Sequence, residues 1–297
     1  RYTHKGRIHS EINQLRSDQG GTVSGRLSYS NPNLQQIPAR NKEFGDKIRG
    51  LFLAEEGRQW GSFDYSQQEP RLVAHYAASV AKQFPGADEF IQAYENEEAD
   101  FHQIVADMAG ISRTQAKTIN LGLFYGMGKA KLAKELGIDK DSAERLLITY
   151  NDRVPFVKKL AVEVTNSASK YGFIRTLKGR KCRFDMWEPS TFGMNKAMHY
   201  EEAKAIYGNN IRRAYTYKAL NRLIQGSAAD QTKQAMIDCY KAGFMPLLQI
   251  HDELCFSIGN ENEIKTIKEK MENAVDSLKV PSKVDIALGR SWGEAKE

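Results

Sequence analysis

The amino-acid sequence predicts an α+β fold, with short strands near both ends of the chain and a mostly helical region between them. Apolar runs interrupted by Gly, Asp and Glu occur at residues 51–64 and 246–258, a pattern typical of strands joined by tight turns. From about residue 72 to 215, apolar residues recur three and four positions apart, which predicts helices. With 297 residues and 41% apolar content, the chain can form one large domain or two closely integrated ones.

The N-terminal region is predicted to pass from loop and short strand into a hairpin and then a helix. Residues 20–40 are rich in Gly, Ser, Asn and Pro, which favours ordered loop over helix. Two apolar runs within residues 50–66 flank an acidic turn, and we expect them to form a hairpin whose second strand ends at Asp64. Helical spacing begins at Pro70, a residue that suits the first turn of a helix. An acidic strand tip is therefore expected directly before a helix.

The central region carries a clear signal for the start of one helix. The pattern SRTQ at residues 112–115 is that of a capping box, so we expect a helix over residues 113–125. Residues 91–110 and 140–172 also have helical spacing. Residues 171–184 alternate instead, which predicts a small hairpin.

The C-terminal region is predicted to contain a long helix followed by a pair of strands. The helix covers residues 218–243, and the strands lie at 246–250 and 254–258. The residues between the two strands are His251, Asp252 and Glu253. A tight acidic turn therefore joins them.

Composition limits the class of protein without identifying its function. A net charge of +6 and a pI near 9.0 favour a polyanionic partner, although this charge alone is weak support. The three cysteines, Cys182, Cys239 and Cys255, are far apart and form no CxxC pair. The sequence therefore predicts neither a disulfide framework nor a zinc site, and it indicates a reducing compartment.

The sequence also shows no membrane-targeting feature. No apolar run approaches the ~20 residues that cross a bilayer, and residues 1–20 are too polar for a signal peptide. We expect a soluble intracellular protein. Because the chain opens at Arg1 rather than Met, its natural start is expected upstream.

Asp64 and Asp252, at two predicted strand tips, are candidates for a metal site. Either residue alone is more typical of a simple turn. Two carboxylates about 4 Å apart would repel each other by ~4 kcal/mol at an effective dielectric constant near 20, so their convergence would require a cation. Magnesium takes oxygen ligands and leaves room for phosphate groups.

A second candidate site lies on the helix that begins at Arg113. Arg113, Lys117, Leu121 and Tyr125 are spaced four apart, so they lie on one helix face. The two cations could hold a triphosphate. A solvated basic turn followed by core residues is the alternative, and for an isolated pair it is the more common one.

Two other motifs fail on inspection. Residues 20–28 resemble a phosphate-binding loop, but Arg26 and Leu27 replace the required Lys and Ser or Thr. His251 lies beside Asp252 and Glu253, yet no second His or Cys has the spacing of a zinc ligand. For His251 we expect a structural or substrate-positioning role.

In order along the chain, these segments resemble family A DNA polymerases, a group that includes bacterial DNA polymerase I and many phage and organellar replicases. SGRLSYSNPNLQQIPAR is similar to the palm segment of the family, DYSQQEPR to motif A, RTQAKTINLGLFYGM to motif B and QIHDEL to motif C. NRLIQGSAAD is similar to the segment that contacts primer and template. Several matches in the correct order carry far more weight than any one of them.

The resemblance implies a right-hand polymerase fold that lacks the thumb. An antiparallel palm sheet would come from residues 1–71 and 216–297, and a helical fingers subdomain would be inserted as residues 72–215. The thumb and any 3′-5′ exonuclease would lie before Arg1. The implied activity is template-directed DNA synthesis, with primer-template DNA and deoxynucleoside triphosphates as partners. A processivity factor is a further partner that the sequence leaves open. The implied location is the cytoplasm of a bacterium or a phage-infected host, with an organelle as the alternative.

The resemblance also implies how the chemistry is performed. Asp64, Asp252 and the main-chain carbonyl of Tyr65 would hold two Mg²⁺ ions, for which Mn²⁺ could substitute, and Glu253 would be an accessory carboxylate. The primer 3′ hydroxyl would attack in line, with the two metals activating it and holding the triphosphate. Lys117 would protonate the departing pyrophosphate.

Further residues are implied to bind the substrates. The nucleotide-binding set is Gln67, Glu69, His102, Arg113, Lys117, Leu121 and Tyr125. Within it, Glu69 would be the steric gate that excludes a ribose 2′ hydroxyl, and Tyr125 would lie beside the nascent base pair. The DNA-binding set is Arg26, Arg71, Asn221, Gln225 and His251, whose donors would test the minor-groove acceptors common to every correct base pair.

The chain departs from the family pattern at several positions. Leu121 replaces the usual Phe or Tyr, Gln68 and Pro70 replace aliphatic residues of motif A, and Tyr217 occupies a position often held by Arg. Residues 185–209 resemble an insertion relative to bacterial members. These differences bear on nucleotide selectivity and speed rather than on the reaction.

Two rival functions are weighed against DNA synthesis. A single-subunit RNA polymerase would share a related palm, but Glu69 and its QQEPR context favour DNA synthesis. A catalytically dead fragment that only binds nucleic acid is the second rival. The presence of both Asp64 and Asp252 argues against it.

Overall fold

The structure is a computed structural model of the 297-residue chain. It describes residues 2–17, 20–38, 44–80, 91–92, 94, 100–124, 127–191, 193 and 196–295. For residues 79, 80, 101, 121, 123 and 124 it describes the backbone alone.

The strands are short, with most of them two or three residues long. In chain order they are β1 (Thr3–His4), β2 (Arg7–Ile8), β3 (Glu11–Asn13), β4 (Ser28–Ser30), β5 (Gln59–Tyr65), β6 (Phe173–Arg175), β7 (Lys181–Arg183), β8 (Trp187–Pro189), β9 (Ile211–Arg213), β10 (Leu248–Ile250), β11 (Glu253–Ile258) and β12 (Val284–Gly289).

The helices are concentrated in the middle of the chain. In chain order they are α1 (Phe44–Arg49), α2 (Gln68–Val80), α3 (Phe101–Ala109), α4 (Arg113–Phe124), α5 (Lys129–Leu136), α6 (Lys140–Arg153), α7 (Pro155–Tyr171), α8 (Tyr200–Tyr207), α9 (Ala219–Lys241) and α10 (Glu261–Glu272). Single 3-10 turns occur at Leu34–Gln36 and Thr216–Lys218. The predicted mixture of helix and sheet is confirmed.

The chain divides into two compact units. The first, unit 1, contains residues 1–69 and 225–297, and the second, unit 2, contains residues 70–224. The chain passes from one unit to the other within α2 and again within α9. Their assignment as palm and fingers, with the predicted boundaries after residues 71 and 215, stays a prediction.

Unit 1 is built around a four-stranded antiparallel sheet in the order β10-β11-β5-β12. The central strand β5 comes from the N-terminal part of the chain and its neighbours come from the C-terminal part. Its residues alternate between two apolar layers. Phe63 packs against Phe256 on one face, and Trp60 stacks on Trp292 on the other.

Both faces of β5 are covered, so its residues 60–63 and 65 are buried. One layer includes Ala235 and Cys239 of α9 and Ile267 and Met271 of α10. The other includes residues of the N-terminal segment and the C-terminal Trp292. The sheet is therefore a central layer in unit 1, with apolar residues packed against both of its faces.

The predicted hairpin within residues 50–66 is wrong. The first apolar run forms no strand, and its one ladder contact is an isolated bridge between Leu53 and Ser291. Phe52 instead packs edge-on against Trp292, and the Phe52 carbonyl accepts a hydrogen bond from the main-chain N–H of Trp292 at 3.0 Å. The run is held by the C-terminal segment, and β5 pairs with β11 and β12.

Unit 2 is mainly helical, as predicted. The capping box at the start of α4 is confirmed, because Ser112 Oγ accepts from the Gln115 N–H at 3.2 Å and Gln115 Oε1 accepts from the Ser112 N–H at 3.0 Å. Residues 140–172, which have helical spacing in the sequence, form the two helices α6 and α7, and α7 begins at Pro155. The predicted hairpin at 171–184 is confirmed as β6 and β7. The region 185–209 contains β8 and α8.

Among the described residues, no helix has the length and apolar character required to span a membrane.

Candidate active site

A cluster of acidic residues lies at one end of the sheet in unit 1. Asp64, near the end of β5, pairs in register with Glu253 on β11 and with Asp285 on β12. Asp252 precedes Glu253 and belongs to the two-residue turn between β10 and β11. The antiparallel register therefore brings Asp64 and Asp252 to the same end of the sheet. Asp285 is an acidic neighbour that the sequence analysis missed.

The turn that carries Asp252 is fixed by a buried amide. His251 has a positive φ of 55°, a conformation that non-glycine residues adopt at tight turns. Gln249 is buried, donates from Nε2 to the His251 carbonyl at 2.5 Å, and accepts from Gln35 Nε2 at 3.3 Å. The turn is thus tied to the N-terminal segment of the same unit.

Asp64 and Tyr65 present different groups at the end of β5. The Oδ1 oxygen of Asp64 is buried and accepts no hydrogen bond from the described part of the chain, although the residue makes other contacts. The Tyr65 side chain points into the opposite apolar layer, where its hydroxyl donates to the Met271 carbonyl at 2.6 Å. Tyr65 therefore contributes only main-chain atoms to the acidic end of the sheet.

Glu253 is oriented by groups from the core. Its Oε1 oxygen accepts from Trp292 Nε1 at 3.2 Å and from Cys255 Sγ at 3.3 Å. In the described residues no group of three or more His, Cys, Asp or Glu side chains has the arrangement of a metal site. A site here would rest on two carboxylates and a main-chain carbonyl, an oxygen-only donor set that suits Mg²⁺ with waters and phosphates as its other ligands.

Glu69 forms an ion pair with Arg26 beside the acidic end of the sheet. Arg26 Nη2 lies 2.5 Å from Glu69 Oε1, and both side chains are largely buried. Burial raises the pKa of Glu69; Arg26 opposes this and Asp252 adds to it. Burial also raises the pKa of Asp252, against the influence of Arg26 and His251. These electrostatic interactions show that Arg26, Glu69, His251 and Asp252 lie close to one another.

A buried glutamine next to Glu69 is held by its own network. Gln68 is 4% exposed, and its Nε2 donates to Gln231 Oε1 at 3.2 Å and to Thr232 Oγ1 at 3.1 Å. Gln231 in turn donates to Ser282 Oγ at 2.7 Å. Gln68, which stands where the family usually has an aliphatic residue, therefore has polar partners on α9. Nothing in the sequence indicated these partners.

A separate cluster of cations lies in unit 2. Asp100 caps the N-terminus of α3 and binds Arg113, whose Nε lies 2.7 Å from Asp100 Oδ2. Burial opposes ionisation of Asp100, but the hydrogen bonds from Arg113 and two main-chain N–H groups together lower its pKa. Lys117, one turn further along α4, is exposed. Arg113 and Lys117 lie on the same face, as the spacing predicted.

His102 lies beside these cations and is held by a polar network. Burial lowers the pKa of His102, and Arg113 and Lys117 lower it further, whereas Asp100 raises it. The Nδ1 of His102 lies 3.1 Å from Asn120 Nδ2, and the hydroxyl of Tyr150 donates to Asn120 Oδ1. Asn120 and Tyr150 are fully buried. The sequence analysis missed Asp100, Asn120 and Tyr150, and two of them, Asn120 and Tyr150, are buried polar residues that look like surface residues in a sequence.

The remaining predicted site residues are placed as follows. In unit 2, Arg71 is buried with its guanidinium 5.2 Å from the Tyr94 ring centre. Asn221 and Gln225 are half-buried and lie four residues apart on α9. Gln67 follows β5 with a positive φ of 52°. For Leu121 only the backbone in α4 is described, and Tyr125 lies outside the described residues.

Comparison with known proteins decides the family of this chain. A model described as DNA polymerase family A matches residues 1–294. The chain belongs to DNA polymerase family A. This confirms the resemblance drawn from the sequence motifs.

Two relatives support the assignment of this chain to DNA polymerase family A. It is 39% identical to a DNA-directed DNA polymerase of Pseudomonas phage M6, over 98% of this chain and 47% of the relative. It is 35% identical to the thermostable DNA polymerase I of Thermus filiformis, over 98% of this chain and 33% of the relative. The chain thus spans half or less of the length of the curated relatives it matches.

A solved structure is similar to nearly the whole of this family A chain. It is the POL domain of Pol1 from M. smegmatis in complex with DNA primer-template and dNTP. The TM-score is 0.78 at 33% identity, and the match covers 99% of this chain and 49% of the solved one. Proteins of this family generally use divalent metal ions.

Proposed function

We propose that this chain is the polymerising core, palm plus fingers, of a DNA polymerase that adds deoxynucleotides to a primer 3′ hydroxyl on a DNA template. Unit 1 would be the palm and unit 2 the fingers. The observation that carries the proposal is the sheet register, which brings Asp64 and Asp252 to one end of the sheet next to Glu253. Acidic groups gathered in this way are suited to hold Mg²⁺.

The metal-binding role is assigned to unit 1. Asp64, Asp252 and the Tyr65 carbonyl would hold two Mg²⁺ ions, and Mn²⁺ could replace them. Such ions lower the pKa of the primer hydroxyl and neutralise charge on the triphosphate. Because Glu253 is fixed by Trp292 and Cys255, it would act as an accessory carboxylate that keeps the Asp252 turn in place.

The substrate-selecting role in unit 1 is assigned to Glu69 and its neighbours. Glu69 would crowd the sugar 2′ position, and Arg26 fixes the direction of its carboxylate through their ion pair. Arg26, His251 and Gln225 would donate to minor-groove acceptors of the primer-template. Gln67 would contact the incoming nucleotide.

Unit 2 would bind the triphosphate and part of the DNA. Arg113, Lys117 and His102 would contact phosphate oxygens, and Lys117 would give a proton to the departing pyrophosphate. Leu121 would face the sugar, and because it has no hydroxyl we expect rejection of dideoxynucleotides. Tyr125 would lie beside the nascent base pair. Asn221 and Arg71 would contact DNA.

Primer extension by the natural full-length protein tests the proposal. Asp64→Asn and Asp252→Asn should each abolish extension in Mg²⁺, because each removes a charge that holds metal. Affinity for primer-template should stay within a few fold, since phosphate contacts dominate it. Asp276→Asn, which changes an exposed carboxylate of unit 1, is the matched control and should extend normally. Substantial extension by either site variant would contradict the two-metal assignment.

A further inference from the structure

The β6–β7 hairpin of unit 2 has a strongly basic segment that the proposed mechanism does not use. Residues 164–184 contain six Lys or Arg and no Asp or Glu. The basic residues are Lys170, Arg175, Lys178, Arg180, Lys181 and Arg183. A segment of this composition attracts polyanions.

One face of this hairpin is anchored and the other is exposed. Ile174 and Cys182 pair across the two strands, and both are buried in a cluster with Phe184, Ala168 and Leu223. The alternation of a β-strand turns their neighbours outward. The outward face therefore carries Phe173, Arg175, Lys181 and Arg183.

Hydrogen bonds hold the main chain of the hairpin at its base and at its tip. Arg213 donates to the Phe184 carbonyl at 3.0 Å and packs over Gly172, where an added Cβ would come within 2.6 Å of the guanidinium carbon. At the tip, Arg175 donates to the Gly179 carbonyl at 3.1 Å and the Thr176 N–H donates to the Arg180 carbonyl at 3.0 Å. The main-chain positions that carry the cations are thus well defined.

This arrangement places like charges in direct opposition. Arg175 and Lys181 are cross-strand partners on the outward face, a position in which like charges destabilise a sheet. Both lie over the ring of Phe173, at 5.5 Å and 4.7 Å from its centre, which offsets part of the repulsion. A bound anion would relieve the rest.

Aromatic rings accompany the cations along the same segment. Tyr171 is 57% exposed and carries Lys170 at 5.0 Å from its ring centre. Phe173, on the outward face, is half-buried beneath Arg175 and Lys181. Basic side chains interleaved with aromatic rings are typical of surfaces that bind single-stranded nucleic acid, since phosphates meet the cations and bases stack on the rings.

We infer that the outward face of the β6–β7 hairpin, from Lys170 to Arg183, binds the single-stranded part of the DNA template. The inference rests on the proposed function, because a template-directed polymerase must hold a strand that is not yet paired. Duplex DNA keeps the faces of its bases stacked inside, so its bases could not stack on the rings of this surface. Each strand of the hairpin spans only about 10 Å, which suits a few nucleotides of a flexible strand.

Fluorescence anisotropy of the natural full-length protein with labelled primer-template tests this inference. The hairpin variant Lys181→Gln with Arg183→Gln removes two exposed charges, and Lys131→Gln with Lys134→Gln removes two exposed charges from α5 of the same unit. We expect the hairpin variant to lose about tenfold in affinity for a template with an overhang of about 12 nucleotides. Its salt dependence should become less steep by roughly 1.4 in the slope of log K against log salt. The α5 variant should bind as the wild type does.

Three results would overturn the inference. An equal loss of affinity in the α5 variant would mean that binding depends on the net charge of the protein and not on the hairpin. An equal loss on blunt-ended duplex would assign the hairpin to duplex DNA. The variant Lys181→Arg with Arg183→Lys keeps both charges. If it also lost affinity, the exchange of both residues for Gln would have acted through the fold rather than through charge. Primer extension by the wild type is measured separately, so that a failure of the proposed function would be visible on its own.

Discussion

The acidic cluster of unit 1 and the cationic cluster of unit 2 are held in different ways. Asp64 and Asp252 are fixed by strand register and by a two-residue turn, so their positions follow from the backbone. Arg113 and Lys117 reach out from a helix, and the Arg113 side chain is 52% exposed. A metal demands ligands at fixed distances, whereas a flexible triphosphate tolerates cations that move with it. The two clusters should therefore differ in their tolerance of small changes.

The largest expected difference is in the response to conservative exchange. Asp64→Glu displaces a carboxylate by about one methylene, and a misplacement of this size can cost about 100-fold in rate. Arg113→Lys keeps the charge on a long side chain and should cost less than tenfold, since binding to phosphate survives as a point charge. Single-turnover nucleotide incorporation measures both, with Asp276→Glu as control. Equal losses for the two exchanges would remove the proposed contrast.

A smaller effect is expected at the buried network that supports unit 1. Gln68→Ala should lower the free energy of unfolding by about 1–3 kcal/mol, because it removes the donor that Gln68 supplies to the buried oxygens Gln231 Oε1 and Thr232 Oγ1. Lys131→Ala, on an exposed face of unit 2, should change it by less than about 0.5 kcal/mol. Urea unfolding of the chain followed by circular dichroism gives both values. If Gln68→Ala were neutral, the network would not stabilise unit 1.

The smallest effect concerns the charge of His102 in unit 2. Its pKa is lowered from 6.5 by burial and by Arg113 and Lys117, against Asp100. The pKa should therefore rise in Lys117→Gln and fall in Asp100→Asn, as read from the imidazole signals in an NMR titration. Because the unfolded chain takes up this proton at a higher pH, His102 contributes stability above pH 6.5 that is lost as the pH falls through the folded pKa. A folded-state pKa at or above 6.5 would contradict this.

Local features of the fold could be predicted from the sequence. The capping box fixed the start of α4 at Arg113, and the pattern of residues 246–258 predicted the turn at Asp252. Alternation predicted the β6–β7 hairpin. Each of these signals depends on residues that are close in sequence, where propensity and capping decide the structure.

Features that depend on distant contacts were not predictable. The apolar run before β5 looks like a strand, but its partner is the C-terminal Trp292 rather than its neighbour in sequence. Polar groups of Gln68 and Tyr150 become core groups only because partners arrive from other helices. A single sequence does not reveal such pairings, since tertiary packing overrides local pattern.

Metal binding by the acidic cluster is the central claim, and electron paramagnetic resonance of Mn²⁺ tests it most directly. The natural full-length protein would be titrated with Mn²⁺ in the presence of primed template and a deoxynucleoside triphosphate. Asp64→Asn and Asp252→Asn should each lose protein-bound Mn²⁺, whereas the control Asp276→Asn should bind as the wild type does. Unchanged Mn²⁺ binding in Asp64→Asn and Asp252→Asn would contradict the account.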